Sequence, residues 1–113
     1  MEITGTLSAC ATATAIWNAL PIQSTADTWG DEIYFTIPVQ VGLDDTGREV
    51  VDKGDLGYWP SGPAFCIFFG LTPASRGAEI RPASAVNVFG RITVDVAALR
   101  KISSGSAIRV EKA

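Results

Sequence analysis

The sequence contains no histidine. That absence excludes Ser-His-Asp and Cys-His nucleophilic catalysis, HExxH zinc sites and any imidazole proton shuttle. It has two cysteines, Cys10 and Cys66, whereas a small disulfide scaffold carries four or more. Both are read as buried, unlinked thiols in apolar surroundings. Basic residues are few, nine against twelve acids for a net charge of −3, and no block of them occurs. A nucleic-acid partner is therefore not expected. The longest uninterrupted apolar runs, such as Ala64 to Phe69, fall far short of the roughly 18–20 residues that span a bilayer, so no membrane partner is expected either. The opening stretch MEITGTLSAC has an acid at position 2 and no basic region, unlike a signal peptide. Cytoplasmic localisation is the resulting expectation. The adjacent Asp44 and Asp45 fall far short of a calcium loop, and neither a metal site nor a cofactor is expected.

What is present is a folding composition. Of the 113 residues 47% are hydrophobic, enough for one core and too many for a disordered chain. Eleven Gly and six Pro divide the chain into short elements. Asp31 to Val41 alternates cleanly: Ile33, Phe35, Ile37, Val39 and Val41 face a core, and Glu32, Tyr34, Thr36, Pro38 and Gln40 face outward. Pro38 cannot donate to a ladder, which implies an edge or bulge there. Thr12 to Leu20 is a short helix, capped by Thr12 or Thr14 and stopped by Pro21, with Trp17 and Leu20 plugging one end of the core. Glu2 to Cys10, Glu49 to Val51, Leu56 to Trp59, Ala64 to Phe69, Ala85 to Val94 and Ala107 to Lys112 read as further strands. Asp95 caps a second short helix from Val96 to Ile102. Ala64 to Phe69 is apolar on both faces and needs cover on both. Val86, Val88, Ile108 and Val110 are placed inside with Phe65 and Ile67. Seven or so short strands with two short helices suggest a closed β-barrel with helices capping its ends; a β-sandwich is the alternative.

Three strings are more specific than periodicity: TWGDEIYF (Thr28 to Phe35), GDLGYWPSGPAFCIFFGLTPAS (Gly54 to Ser75) and ASAVNVFGRI (Ala83 to Ile92). With the order of elements around them, they resemble the small prokaryotic cyclophilin-like family, whose function is unknown. The resemblance runs from about Leu20 to the C-terminus and is weakest over the first twenty residues. It implies one domain over residues 1–113, built as an eight-stranded cyclophilin-type barrel. True cyclophilins are peptidyl-prolyl isomerases, with a catalytic strand of the type FHRxxxxFxxQ(G/A)GD. That string is absent here, and the only glutamines are Gln23 and Gln40. No catalytic residue carries over.

In such a barrel the ligand groove lies outside the sheet. The candidate ligand-binding residues are accordingly Glu32, Tyr34 and Thr36 on one outward face, Tyr58 and Trp59 beside the Pro-Ser-Gly-Pro turn, and Phe68. Arg76 and Arg81, in the loop from Leu71 to Ala83, would anchor the anionic end of a ligand. Aromatic side chains with a few polar groups make the usual pocket for a small molecule or an extended peptide. The expected function is non-catalytic binding of such a ligand. A weak or non-standard prolyl isomerase, and a module for self-association into a homo-oligomer, are the alternatives.

Overall fold

Alternating side chains build the central strand in the expected register. In the computed structural model, which describes residues 1–93 and 96–113, Ile33 and Phe35 are buried on one face, with Tyr34 half-buried on the other. The elements in chain order are β1 (Gly5–Leu7), α1 (Ala11–Ala19), β2 (Ile22–Thr25), β3 (Asp27–Thr28), β4 (Glu32–Thr36), β5 (Gly47–Arg48), β6 (Asp55–Trp59), β7 (Ala64–Phe68), β8 (Val86–Ile92), a 3-10 helix (Val96–Lys101) and β9 (Ala107–Val110). Val94, the expected end of a strand, and Asp95, the expected helix cap, lie outside the described residues.

Seven strands form one antiparallel sheet in the order β1-β8-β6-β7-β4-β3, with β5 also on β8. β2 and β9 form a separate two-stranded ribbon. The chain from Ile22 to Thr28 is one extended run that changes partner at Ala26. Before it, β2 pairs with β9; at Ala26 the amide donates to the Ser106 carbonyl at 2.8 Å; after it, β3 pairs with β4. The protein is mainly β, as expected, but among the described residues no sheet closes on itself. Among the described residues β1 is bonded only to β8 and β9 only to β2, so each keeps one edge free of described strands.

The central strands are packed on both faces, as the two-sided apolar run required. The inner cluster gathers Ile16, Ile33, Phe35, Leu56, Tyr58 and Phe89, with Phe65 stacked on Phe35 at 4.8 Å and edge-on to Phe89 at 5.0 Å. The outer cluster consists of Val51, Ala64, Cys66, Phe68, Ile80 and Val86. Val86 and Val88 therefore belong to the outer layer, not to the interior where alternation placed them; Asn87 and Phe89 point inward instead. With apolar residues on both faces of β8, periodicity groups the residues of each face but does not say which face is inside. A register shift between Leu56 and Gly57 on the neighbouring β6 adds to the irregularity.

α1 starts one residue before the expected helix, with Cys10 at its N-cap and no side-chain cap; the Thr14 hydroxyl bonds back to the Cys10 carbonyl at 3.2 Å. Its start is pinned to the sheet by Asn87, fully buried, whose amide donates to the Thr12 hydroxyl at 3.1 Å and the Gly42 carbonyl at 2.9 Å. The oxygen of Asn87 accepts from the Asp44 amide at 3.0 Å. Trp17 does not plug the core. It lies 42% exposed.

Candidate functional site

The outer face holds Glu32, Tyr34 and Phe68 of the expected site. Glu32 and Tyr34 of β4 lie across from Phe68 and Cys66 of β7 in the ladder register. Phe68 is fully buried, covered in its cluster by Val51 and Ile80, which are themselves joined by a single bridge with the Val51 amide donating to the Ile80 carbonyl at 2.9 Å. The loop after β7 is fastened to itself around the Ser75 hydroxyl, which accepts from the amides of Thr72 (3.0 Å) and Arg81 (3.2 Å). The Thr72 hydroxyl in turn donates to the Arg81 carbonyl. This loop contributes Ile80 to the cover that the two-sided strand needs.

The other expected residues disperse. Tyr58 is a correction: it faces inward, fully buried, with its hydroxyl donating to the Val39 carbonyl at 2.6 Å. Trp59 stays on the outer side, half-buried, and its indole N–H donates to the Ser84 hydroxyl at 2.6 Å. Thr36 is exposed, and its carbonyl accepts from the Ser24 hydroxyl at 2.8 Å. Arg81 is paired with Glu79 at 2.9 Å, and Arg76 is exposed on the loop. Glu32, only 6% exposed, retains one carboxyl oxygen, Oε1, without a partner. Burial raises its pKa to about 7, the nearby Cys66 thiol offsetting part of the rise. Burial, with Glu32 beside it, pushes the Cys66 thiol well above its ordinary range, the opposite of what a nucleophile needs.

A well-formed open space lies on the inner side, away from the expected residues. A cavity of about 380 Å³ penetrates between the inner face of the large sheet and β9. Its floor is Ile33, Phe35, Leu56, Phe65 and Ile67; its walls include α1 and the 3-10 helix through Ile16, Trp17, Leu20 and Leu99. Its rim is made by the segments carrying the two free edges, from Met1 to Leu7 and from Ile108 to Ala113. Gly5 lets β1 lie close on β8: a Cβ there would come within 2.9 Å of the Arg91 carbonyl. None of the eight expected residues lines this cavity. The clue lay in Trp17: an aromatic on a short helix, among small and polar neighbours, was assigned to a core that leaves it at the surface.

The charged side chains of the lining, Glu2, Arg109, Glu111 and Lys112, are all exposed at the rim. Arg109 bonds Glu111 at 2.8 Å, and the Lys112 ammonium sits 4.9 Å from the centre of the Trp17 ring. No group of His, Cys, Asp or Glu among the described residues has the geometry to hold a metal ion.

A family model described as cyclophilin-like matches residues 1–111. The chain belongs to the cyclophilin-like family. A solved relative of this cyclophilin-like domain is the solution structure of the hypothetical protein AF2241 from Archaeoglobus fulgidus. The two are 50% identical, with a TM-score of 0.76 over 90% of this chain and 77% of that one. No curated protein matches the chain. The cyclophilin-like assignment and the mainly β fold thus agree with the resemblance seen in the three sequence strings. No helix among the described residues is long and apolar enough to cross a membrane.

Proposed function

We propose that this cyclophilin-like domain is a non-catalytic binding module, and that its ligand enters the inner cavity rather than a groove outside the sheet. The observation that carries this reading is the cavity itself. About 380 Å³ is within the range of small-molecule sites, and the floor is wholly apolar. Its lining supplies no buried acid, base or nucleophile, which favours holding a ligand over transforming it. The outer face is a poorer site, since a ligand there would have to displace Val51 and Ile80 before reaching Phe68.

A simple apolar probe tests the reading. Calorimetric titration with 1-decanol is expected to show saturable one-to-one binding. Ile67→Trp, which places a larger side chain on the cavity floor, is expected to weaken that binding by about ten-fold or more while the protein stays folded. Undiminished decanol binding by this variant would remove the cavity from consideration.

A further inference from the structure

The cavity lies between two strand edges that have no partner among the described residues. Along β1, the Ser8 amide donates to the Phe89 carbonyl at 2.8 Å and the Thr93 amide to the Thr4 carbonyl at 3.3 Å. Antiparallel pairing alternates, so Thr4, Thr6 and Ser8 turn their backbone groups toward β8, while Gly5 and Leu7 turn theirs away from it. Along β9, the bond from the Ala26 amide to the Ser106 carbonyl sets the same alternation. Ile108 and Val110 face β2, and Ala107 and Arg109 face away. Gly5, Leu7 and Arg109, three of the four residues whose backbone groups point outward, also line the cavity. A shallow depression lined by Gly5, Leu7, Ser8, Ala13, Thr14 and Trp17 shares Gly5, Leu7 and Trp17 with it, prolonging the apolar surface along β1. Leu7 and Trp17 are among the few large apolar side chains left exposed.

We infer that the natural occupant is an extended polypeptide segment, lying along the free edge of β1 in the seam that faces β9, with alternate large apolar side chains entering the cavity and an acidic residue toward Lys112. This deepens the proposed binding function and rests on it. An extended backbone is the ligand that uses free strand amides and carbonyls, and side chains two residues apart fall on one face. The acid follows from the rim charges. Arg109 already holds Glu111, whereas Lys112 is paired with no carboxylate among the described residues and contacts only the Trp17 ring. Glu2, the remaining acid of the rim, belongs to the β1 side. Insertion of such a segment would extend the large sheet by one strand across the side it leaves open.

The test uses the intact protein and two blocked hexapeptides of sequence Thr-Asp-Leu-Thr-Leu-Thr, one unmodified and one N-methylated at the first leucine and at the threonine after it, so that one lost donor faces β1 in either strand direction, with 1-decanol as the non-peptide probe. The unmodified peptide is expected to bind and to slow hydrogen exchange at the Leu7 amide by about ten-fold or more. N-methylation, which removes backbone donors without touching the protein, is expected to weaken binding by about ten-fold. Lys112→Glu is expected to weaken the peptide several-fold. Equal binding of the two peptides, or an unchanged Leu7 exchange rate, overturns the inference. So does failure of the unmodified peptide to bind where decanol binds, an outcome that leaves the cavity reading standing. Failure of both probes overturns both.

Discussion

The Tyr58 hydroxyl donates to the Val39 carbonyl at 2.6 Å and accepts from the Val41 amide at 3.3 Å. One phenol thus satisfies the backbone of an irregular segment just beyond Pro38, where the ladder of β4 has ended. Tyr58→Phe keeps the ring and removes both bonds. It is expected to lower the unfolding free energy by about 1–2 kcal/mol, since a buried carbonyl and an amide lose their partner. Urea unfolding checks this, and decanol affinity should not change, because Tyr58 does not line the cavity.

Glu32 makes stability depend on pH in an unusual direction for a carboxylate. Its folded pKa, raised to about 7 by burial, lies above the unfolded value near 4.5. The folded state therefore binds the proton more tightly. The associated stability is fully present below pH 4.5 and is lost as pH rises through 7. Asp55, also raised by burial, acts in the same sense. Between pH 5 and pH 8 the protein is expected to lose on the order of 1–3 kcal/mol from Glu32. Glu32→Gln should flatten most of that slope. Denaturant titrations of both proteins at the two pH values measure it, and parallel slopes would contradict the assignment.

Gly57 lies under the outer layer. A Cβ there would come within 2.7 Å of Val86 Cγ2 and 3.0 Å of Phe68 Cε2. Gly57→Ala is expected to cost about 1–3 kcal/mol through overpacking. A thermal melt suffices to test it. A neutral result would mean that the outer cluster is looser than its full burial of Phe68 and Val86 indicates.

The two cysteines are free and differ in access: Cys10 is half-buried and Cys66 buried. A thiol reagent is expected to modify Cys10 within the folded protein at neutral pH and Cys66 only after denaturant is added, giving two groups per chain in total. Rapid modification of both without denaturant would show that the outer face opens readily.

The period-2 pattern of Asp31 to Val41, the apolar run of Ala64 to Phe69 and the helix before Pro21 were legible because each is a local signal that burial enforces residue by residue. The same signals established that Phe35 faces the core and that the sheet needs cover on both sides. Three short strands, β2, β3 and β5, were not legible: Ile22 to Thr28 has one buried side chain at each of Ile22 and Ala26 and otherwise polar residues, too little alternation to mark a strand, and the pairing expected over Glu49 to Val51 falls instead on Gly47–Arg48, leaving only a single bridge at Val51.

The sequence by itself determined the strand periodicity, the free thiols' apolar settings and, through three strings, the cyclophilin-like family. Tertiary structure alone decided which face of β8 is inside, that Val51 and Ile80 join Phe68 in the outer cluster, and that a cavity opens between β1 and β9. The reason is physical. Side-chain alternation reports which residues share a face, but a strand apolar on both faces carries no mark of inside or outside. A cavity rimmed by Gly5 and Arg109 depends on how two strands from opposite ends of the chain are set against one core, and no local pattern encodes that distance.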